Sequence, residues 1–371
     1  MKNLFKKLTT AVVSVAVAVA SVFSMASCDN TETGAFKVGG SGPLTGDNAS
    51  YGISVKQGAL LAVEHLNAKG GVQFDFDMKD DQCDPQTAGQ NYDTLYDWGM
   101  QLSLSAVTSG AALSFAEKAN ADKLFSMSPS ASADNVIQNK DYSFRLCFGD
   151  PDQGILAAQM IAENYENVGC LYNEADSYSK GVYDAFAAEM QRLQKSYKVY
   201  TFDNENNKDF STQASQLADC DVIFMPFYYT EASLFAKAIV AKDSDAVLFG
   251  CDGFDGIADL IEGVDNKIMY ITPFDVKSQE TDVKAFVEAY TAKYGVAPDQ
   301  FAADAYDVIM VLAKAIETAG VTDTSISAAE LGEKLLEVIT SDTFSYTGLT
   351  GVMSWDESGA CTKEPVIVEF N

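Results

Sequence analysis

Few residue types in this sequence can do chemistry, and their spacing narrows which chemistry is open. The one histidine, His65, sits beside Glu64 inside a helix-period stretch. It has no second imidazole to share a metal with, and it reads as a helical surface position rather than a general base. Six cysteines follow Cys28, namely Cys83, Cys147, Cys170, Cys220, Cys251 and Cys361. Their spacing is wide and contains no C-x-x-C, so no metal site is expected. Cys147, Cys170, Cys220 and Cys251 lie in or beside apolar strand-like runs, which favours buried thiols over disulfides. Asp80 and Asp81 resemble an acid pair. Neighbours at a strand end face opposite sides, however, so a turn role is expected.

The loop at 39–52, GGSGPLTGDNASYG, holds Gly40, Gly42 and Gly46 in a near miss of the dinucleotide fingerprint. Pro43 removes an N–H where a pyrophosphate needs one, and Asp47-Asn48-Ala49-Ser50 delays the helix. The acid about 20 residues on is Glu64, inside the first helix rather than after a second strand. No nucleotide and no other cofactor is expected. What remains is a set of hydroxyls at strand ends. Ser109 stands where a strand gives way to a helix, where a hydroxyl plus free amides suit a carboxylate. Ser130 and Ser132 follow the next strand, so all three converge at the carboxyl ends of adjacent strands. Asp252, in Gly250-Cys251-Asp252-Gly253, ends a later strand; a turn aspartate is the alternative. Together these suggest a binding cleft, not a catalytic centre, and no enzyme is expected.

The elements that must position these residues are short apolar runs alternating with helix-period segments, the pattern of an α/β fold with parallel sheets. Strands are predicted at 36–39, 74–78, 104–107, 124–127 and 142–148. Helices fall at 50–68, where Val55, Ala59, Ala62 and Leu66 share a face, and at 86–101 and 111–121. The alternation restarts with a helix at 153–164, a strand at 168–172, a helix at 181–194 and a strand at 198–202. It continues with 210–218, 222–227, 231–241, 246–250 and 268–272. Three helices follow at 281–294, 301–318 and 328–339, then β-like stretches at 351–355 and 365–370.

Residues 1–27 precede this pattern. Lys2, Lys6 and Lys7, an apolar run from Leu8 to Phe23, and Ser24-Met25-Ala26-Ser27-Cys28 read as a secretory signal. The last residues resemble a lipobox with Met25 where leucine is usual. That implies cleavage before Cys28 and a lipid on its sulfur; an uncleaved membrane anchor is the alternative. Either places the rest outside the cytoplasm, periplasmic or at the cell surface. A net charge of −28 repels phosphate backbones and anionic lipids, so nucleic acid is not an expected partner.

The segment FKVGGSGPLTGDNASYGISVKQGALLAVEHLNAKGG at 36–71 resembles the start of the type I periplasmic binding proteins, specifically the leucine/isoleucine/valine-binding type that serves ABC importers. Matches continue at DDQCDP (80–85), TSG (108–110), SPSAS (128–132), Phe210-Ser211 and FSYTGLTGVMSWDESG (344–359). The resemblance implies two Rossmann-like lobes, each a parallel sheet flanked by helices, with several crossovers and a ligand cleft between them. Residues 28–35 would be a tether, 36–150 with 277–351 one lobe, and 151–276 with 352–371 the other. It also implies a free amino acid as ligand, branched-chain or otherwise aliphatic or neutral, delivered by a monomer to ABC permease subunits through hinge closure. A sensor for a small amide, urea or an amino-acid-like solute is the alternative. By the same resemblance Ser109, Ser130 and Ser132 hold the carboxylate, Asp252 pairs with the ammonium, and Tyr51, Tyr178 and Tyr228 line the cleft, with Phe227 and Tyr229 in the core. Relatives carry a disulfide whose second cysteine aligns with Thr108, so Cys83 is expected to lack that partner.

Overall fold

Runs such as VIFM at 222–225 and IMYIT at 268–272 have every residue buried, which suits strands covered by helices on both faces. The computed structural model describes residues 34–370; the signal sequence and Cys28 lie outside the described residues. A first sheet takes β1 (Phe36–Gly42), β2 (Phe74–Asp80), β3 (Leu102–Ala106), β4 (Phe125–Ser128) and β5 (Ser143–Arg145) in the order β2-β1-β3-β4-β5, all parallel. Between them run α1 (Ala49–Lys69), α2 (Pro85–Asp97), α3 (Ser109–Ala121) and the short α4 (Asp134–Ile137), and α5 (Asp150–Asn164) leads out.

The second sheet holds β6 (Val168–Asn173), β7 (Lys198–Phe202), β8 (Val222–Met225), β9 (Val247–Gly250) and β10 (Ile268–Thr272), joined by α6 (Ser177–Arg192), α7 (Ser211–Leu217) and α8 (Tyr229–Val240). Next come α9 (Thr281–Tyr294), α10 (Gln300–Thr318) and α11 (Ala328–Ile339), then β11 (Tyr346–Gly348), β12 (Gly351–Trp355), β13 (Cys361–Thr362) and β14 (Val366–Phe370). β14 returns antiparallel to β10, giving the order β14-β10-β9-β8-β6-β7. The architecture is two parallel α/β layers linked by several crossovers, as expected.

Two predicted elements end early for local reasons. α2 stops at Asp97 instead of 101 because Gly99 turns left-handed at φ +94°. Gln101 is then free to pair: its backbone N–H donates to the Lys37 carbonyl, and its side chain reaches the Thr324 and Ile326 carbonyls. β5 ends at Arg145 instead of 148, because the Arg145 N–H turns to the Gly359 carbonyl at 3.0 Å. The strap carrying Gly359 is fastened again by the Trp355 indole, which donates to the Arg145 carbonyl at 2.8 Å, and by Lys363 on Asp304 at 2.6 Å.

α10 returns against α1 with almost no gap. A Cβ on Gly58 would lie 2.0 Å from the Ala302 carbonyl oxygen, a backbone atom that cannot step aside. Gly58→Leu is therefore expected to cost about 1–3 kcal/mol, read as a lower urea midpoint with the slope unchanged.

Candidate functional site

Each sheet reverses its strand order, between β1 and β3 in the first and between β6 and β8 in the second. Open α/β sheets bind ligands outside the carboxyl ends of their strands at such points. Tyr51 follows β1, Ser109 follows β3, and Ser130 and Ser132 follow β4. From the other sheet, Tyr178 follows β6, Tyr228 follows β8 and Asp252 follows β9. All seven line one cavity of about 260 Å³, together with Val107, Thr108, Gly253 and Phe301.

The glycine loop sets the rim. Asp80 accepts hydrogen bonds from the Leu44 N–H (2.8 Å) and the Thr45 hydroxyl (2.6 Å), while Asp81 accepts from the Ser41 hydroxyl at 2.7 Å. The two acids thus fasten the loop from opposite sides. A Cβ on Gly52 would lie 2.1 Å from the Pro43 carbonyl oxygen, so glycine is required for α1 to start close under the loop and aim Tyr51 inward. The Tyr51 hydroxyl donates to the Gly253 carbonyl at 2.5 Å and accepts from the Tyr229 N–H at 3.2 Å, tying the two lobes together. Asp47 adds to this tie. Its carbonyl accepts from the Tyr229 and Thr230 hydroxyls at 2.9 and 2.8 Å, and its carboxylate pairs with Lys208.

The first-lobe wall gathers hydroxyls around a helix amino terminus. Ser109 opens the thirteen-residue α3, whose first amides have no partner within the helix. The Ser109 hydroxyl accepts from the Ala133 N–H at 3.3 Å, which draws the loop after β4 onto the same helix end. The Ser130 hydroxyl donates to the Val107 carbonyl at 2.7 Å, and the Ser132 carbonyl is held by Arg145 at 2.7 Å and the Asp150 N–H at 3.0 Å. The Thr108 hydroxyl is buried beside the Cys83 thiol.

The second-lobe wall presents a buried carboxylate, Asp252. The Asp252 N–H donates to the Gln153 side chain at 3.0 Å and its carbonyl accepts from Gln300 at 2.6 Å. The Tyr178 hydroxyl and the Gln153 side chain hold the carboxylate in place, and its Oδ1 is buried. Tyr178 accepts from the Gly253 N–H at 3.1 Å and stacks on Tyr228, ring centres 5.2 Å apart. The Tyr228 hydroxyl is also buried, against the Asp176 carboxylate. Tyr51, packed on Phe301 at 4.3 Å, and Val107 supply the apolar surface.

Burial pushes the Asp252 carboxyl up to about 7, and it pushes Asp81 and Asp307 up to about 6. The folded chain thus binds these protons more tightly than the unfolded chain, and their contribution to stability falls as pH rises from about 4 to 7. Carboxyls pushed down, such as Glu189 at about 2 beside Arg192, titrate below that window. Melting temperature is expected to drop between pH 5 and 7.5 in the absence of solute, as scanning calorimetry would show.

Sequence reasoning missed Val107, Thr108, Gly253 and Phe301 as cavity walls. Thr108 was legible as the residue before Ser109, whereas Phe301 arrives from α10, far along the chain, with no local signal. It also missed Asp150, which is 1% exposed with both carboxylate oxygens unpartnered, close behind Ser132. His65 is exposed on α1 with its ring 3.0 Å from the Tyr306 hydroxyl, away from the cleft. Phe227 and Tyr229 are core residues. The described cysteines are free thiols, and Cys147, Cys170, Cys220, Cys251 and Cys361 are buried. Among the described residues no helix is long and apolar enough to cross a membrane.

Two α/β lobes joined by several crossovers, closed on a polar cavity at their strand ends, define a solute-binding protein of the hinged type. The sequence profile described as periplasmic binding protein matches residues 35–359, and the chain belongs to that family. It is 28% identical to the leucine-, isoleucine-, valine-, threonine- and alanine-binding protein of Pseudomonas aeruginosa, covering 97% of this chain and 94% of that one. It is 26% identical to the Leu/Ile/Val-binding protein BraC3 of Rhizobium johnstonii, over 82% and 86%. Among solved structures it is similar to the leucine-binding protein LivK of Thermotoga maritima, with a TM-score of 0.81 and 26% identity over 90% and 94% of the two chains. It is also similar to the substrate-binding protein LivJ of Streptococcus pneumoniae in complex with isoleucine, with a TM-score of 0.76 and 25% identity over 91% and 100%.

Proposed function

We propose that the protein captures a free α-amino acid between its lobes and delivers it to an ABC permease, anchored to the membrane by a lipid on Cys28. One observation carries the ligand class. Buried polar groups line one cavity from both sides, with the Thr108 hydroxyl and the α3 amino terminus on one wall and Asp252 and the Tyr228 hydroxyl on the other. An anion-binding end opposite a carboxylate matches a zwitterion with its carboxylate and ammonium on one carbon. Ser109, Ser130 and Ser132 hold the carboxylate, Asp252 clamps the ammonium, and Tyr51, Tyr178 and Tyr228 enclose the rest. The relatives' printed ligands support the same class.

The lobes are taken as 36–150 with 277–351, and 151–276 with 352–371. The contacts of Trp355, Gly359 and Lys363 with Arg145 and Asp304 hold the strap at the hinge before β14 joins the second sheet. The protein acts as a monomer, and loaded, closed protein docks on the permease.

The test is a thermal melt of refolded, solute-stripped protein against the twenty amino acids, short peptides, small amides and urea. A ligand at about 100 times its dissociation constant adds about 2.7 kcal/mol, a shift easily resolved. Stabilisation by amino acids supports the reading; stabilisation only by an amide or urea overturns it.

A further inference from the structure

Tyr228 is a wall of two cavities. Beyond it, at the carboxyl ends of β1 and β2 on one side and of β6, β7 and β8 on the other, lies a second inter-lobe cavity of about 820 Å³. Its lining differs in kind from the first. Carboxylates of Asp47, Asp176 and Glu231 face it together with the side chains of Asn173, Asn204 and Asn207. No lysine or arginine lines it, and Lys208, outside the lining, pairs with Asp47 at 2.6 Å.

Glu231 is the telling residue. It is 8% exposed, its Oε1 accepts from the Asn207 side chain at 2.9 Å, and its Oε2 is buried with no partner. A carboxylate so enclosed is costly unless something donates to it. Around it, Asn173 donates to Asn204 at 2.7 Å, and its own carbonyl oxygen accepts from the Ala175 N–H. With three carboxylates and no lysine or arginine in its lining, the cavity is acidic. That arrangement favours a guanidinium or ammonium group and disfavours an aliphatic or anionic one.

We propose that this cavity is a distal subsite for the cationic end of a basic amino acid, with Glu231 Oε2 as its acceptor and the Tyr228 ring as the surface along which the aliphatic stem runs. The proposal rests on the amino-acid reading of the first cavity and gives the side chain a class that the relatives' names do not. Asp176, whose carboxylate accepts from the Ser179 N–H at 2.9 Å, completes the negative wall.

Calorimetric titration of the refolded protein with L-arginine, L-lysine, L-leucine and L-alanine tests it, with Glu231→Gln and Asp176→Asn as variants. The expected result is arginine or lysine bound at least tenfold tighter than leucine. Glu231→Gln should then weaken the basic ligand by tenfold or more while alanine binding changes less than twofold. Leucine binding with no competition from arginine or lysine overturns the distal subsite and leaves the amino-acid reading standing. Equal affinity of the wild type and both variants for the basic ligand overturns it too. No heat from any amino acid sinks the first-cavity reading, and the subsite with it.

Discussion

Asp252→Asn is expected to weaken amino-acid binding by about 2–3 kcal/mol, roughly 30- to 150-fold, and at the same time to raise the melting temperature of the protein without solute. Both effects come from one carboxylate. A charge-assisted hydrogen bond to a buried ion contributes about 1.5–3 kcal/mol, and asparagine keeps the shape while removing the charge that pairs with the ammonium. In the absence of a cation the carboxylate is a buried charge, held up to about 7 by its burial, so neutralising it relieves the fold above that pH. The Asp252 backbone carries bonds to Gln153 and Gln300 that the substitution leaves in place, so the loop keeps its position. Calorimetric titration and a melt on the same sample check both. Unchanged affinity would remove Asp252 from the site.

The largest stability loss is expected far from the cavity floor, at Lys363. Its ammonium meets the Asp304 carboxylate at 2.6 Å, with side-chain exposures of 0% and 2%. Replacing one member of such a pair leaves the other as an uncompensated buried charge, which costs about 3–5 kcal/mol. Lys363→Met is expected to shift the urea midpoint by that amount. Lys363→Met with Asp304→Leu should recover most of it, because two apolar side chains leave no charge behind. If the single variant unfolds like the wild type, the pair contributes nothing and the strap is held by Trp355 and Gly359 alone.

Periodicity alone located most elements, and β7, β10, α9 and α11 have the predicted bounds. That is expected of a fold in which each apolar run is one strand and each helix has one buried face. The early end of α2 escaped because a single glycine decides it and Gln101 is claimed by a carbonyl far along the chain. The cavity was partly legible. Ser109, Ser130, Ser132 and Asp252 were marked by their places at strand ends, and the three tyrosines came through the family resemblance. Phe301, Thr108 and the second cavity were not legible, because their positions are set by the pairing of strand ends from two lobes. Glu231 reads locally as an ordinary first-turn acid on α8; only its burial in the closed cleft singles it out.

The tie between lobes at Tyr51 and Asp47 uses no atom of a bound solute. It therefore contributes to the energy of the closed form equally for every solute that fits. When only a fraction of molecules is competent to hold a ligand, apparent affinity scales with that fraction. Loosening the tie, as Thr230→Val would by removing the hydroxyl bond to the Asp47 carbonyl, lowers the affinity for all ligands by a common factor and leaves their ranking alone. The cleft thus separates gain from selectivity: the rim sets how dilute a solute can be and still be caught, and the floor sets which solute it is. A lineage facing scarcer or richer surroundings could retune the first without renegotiating the second.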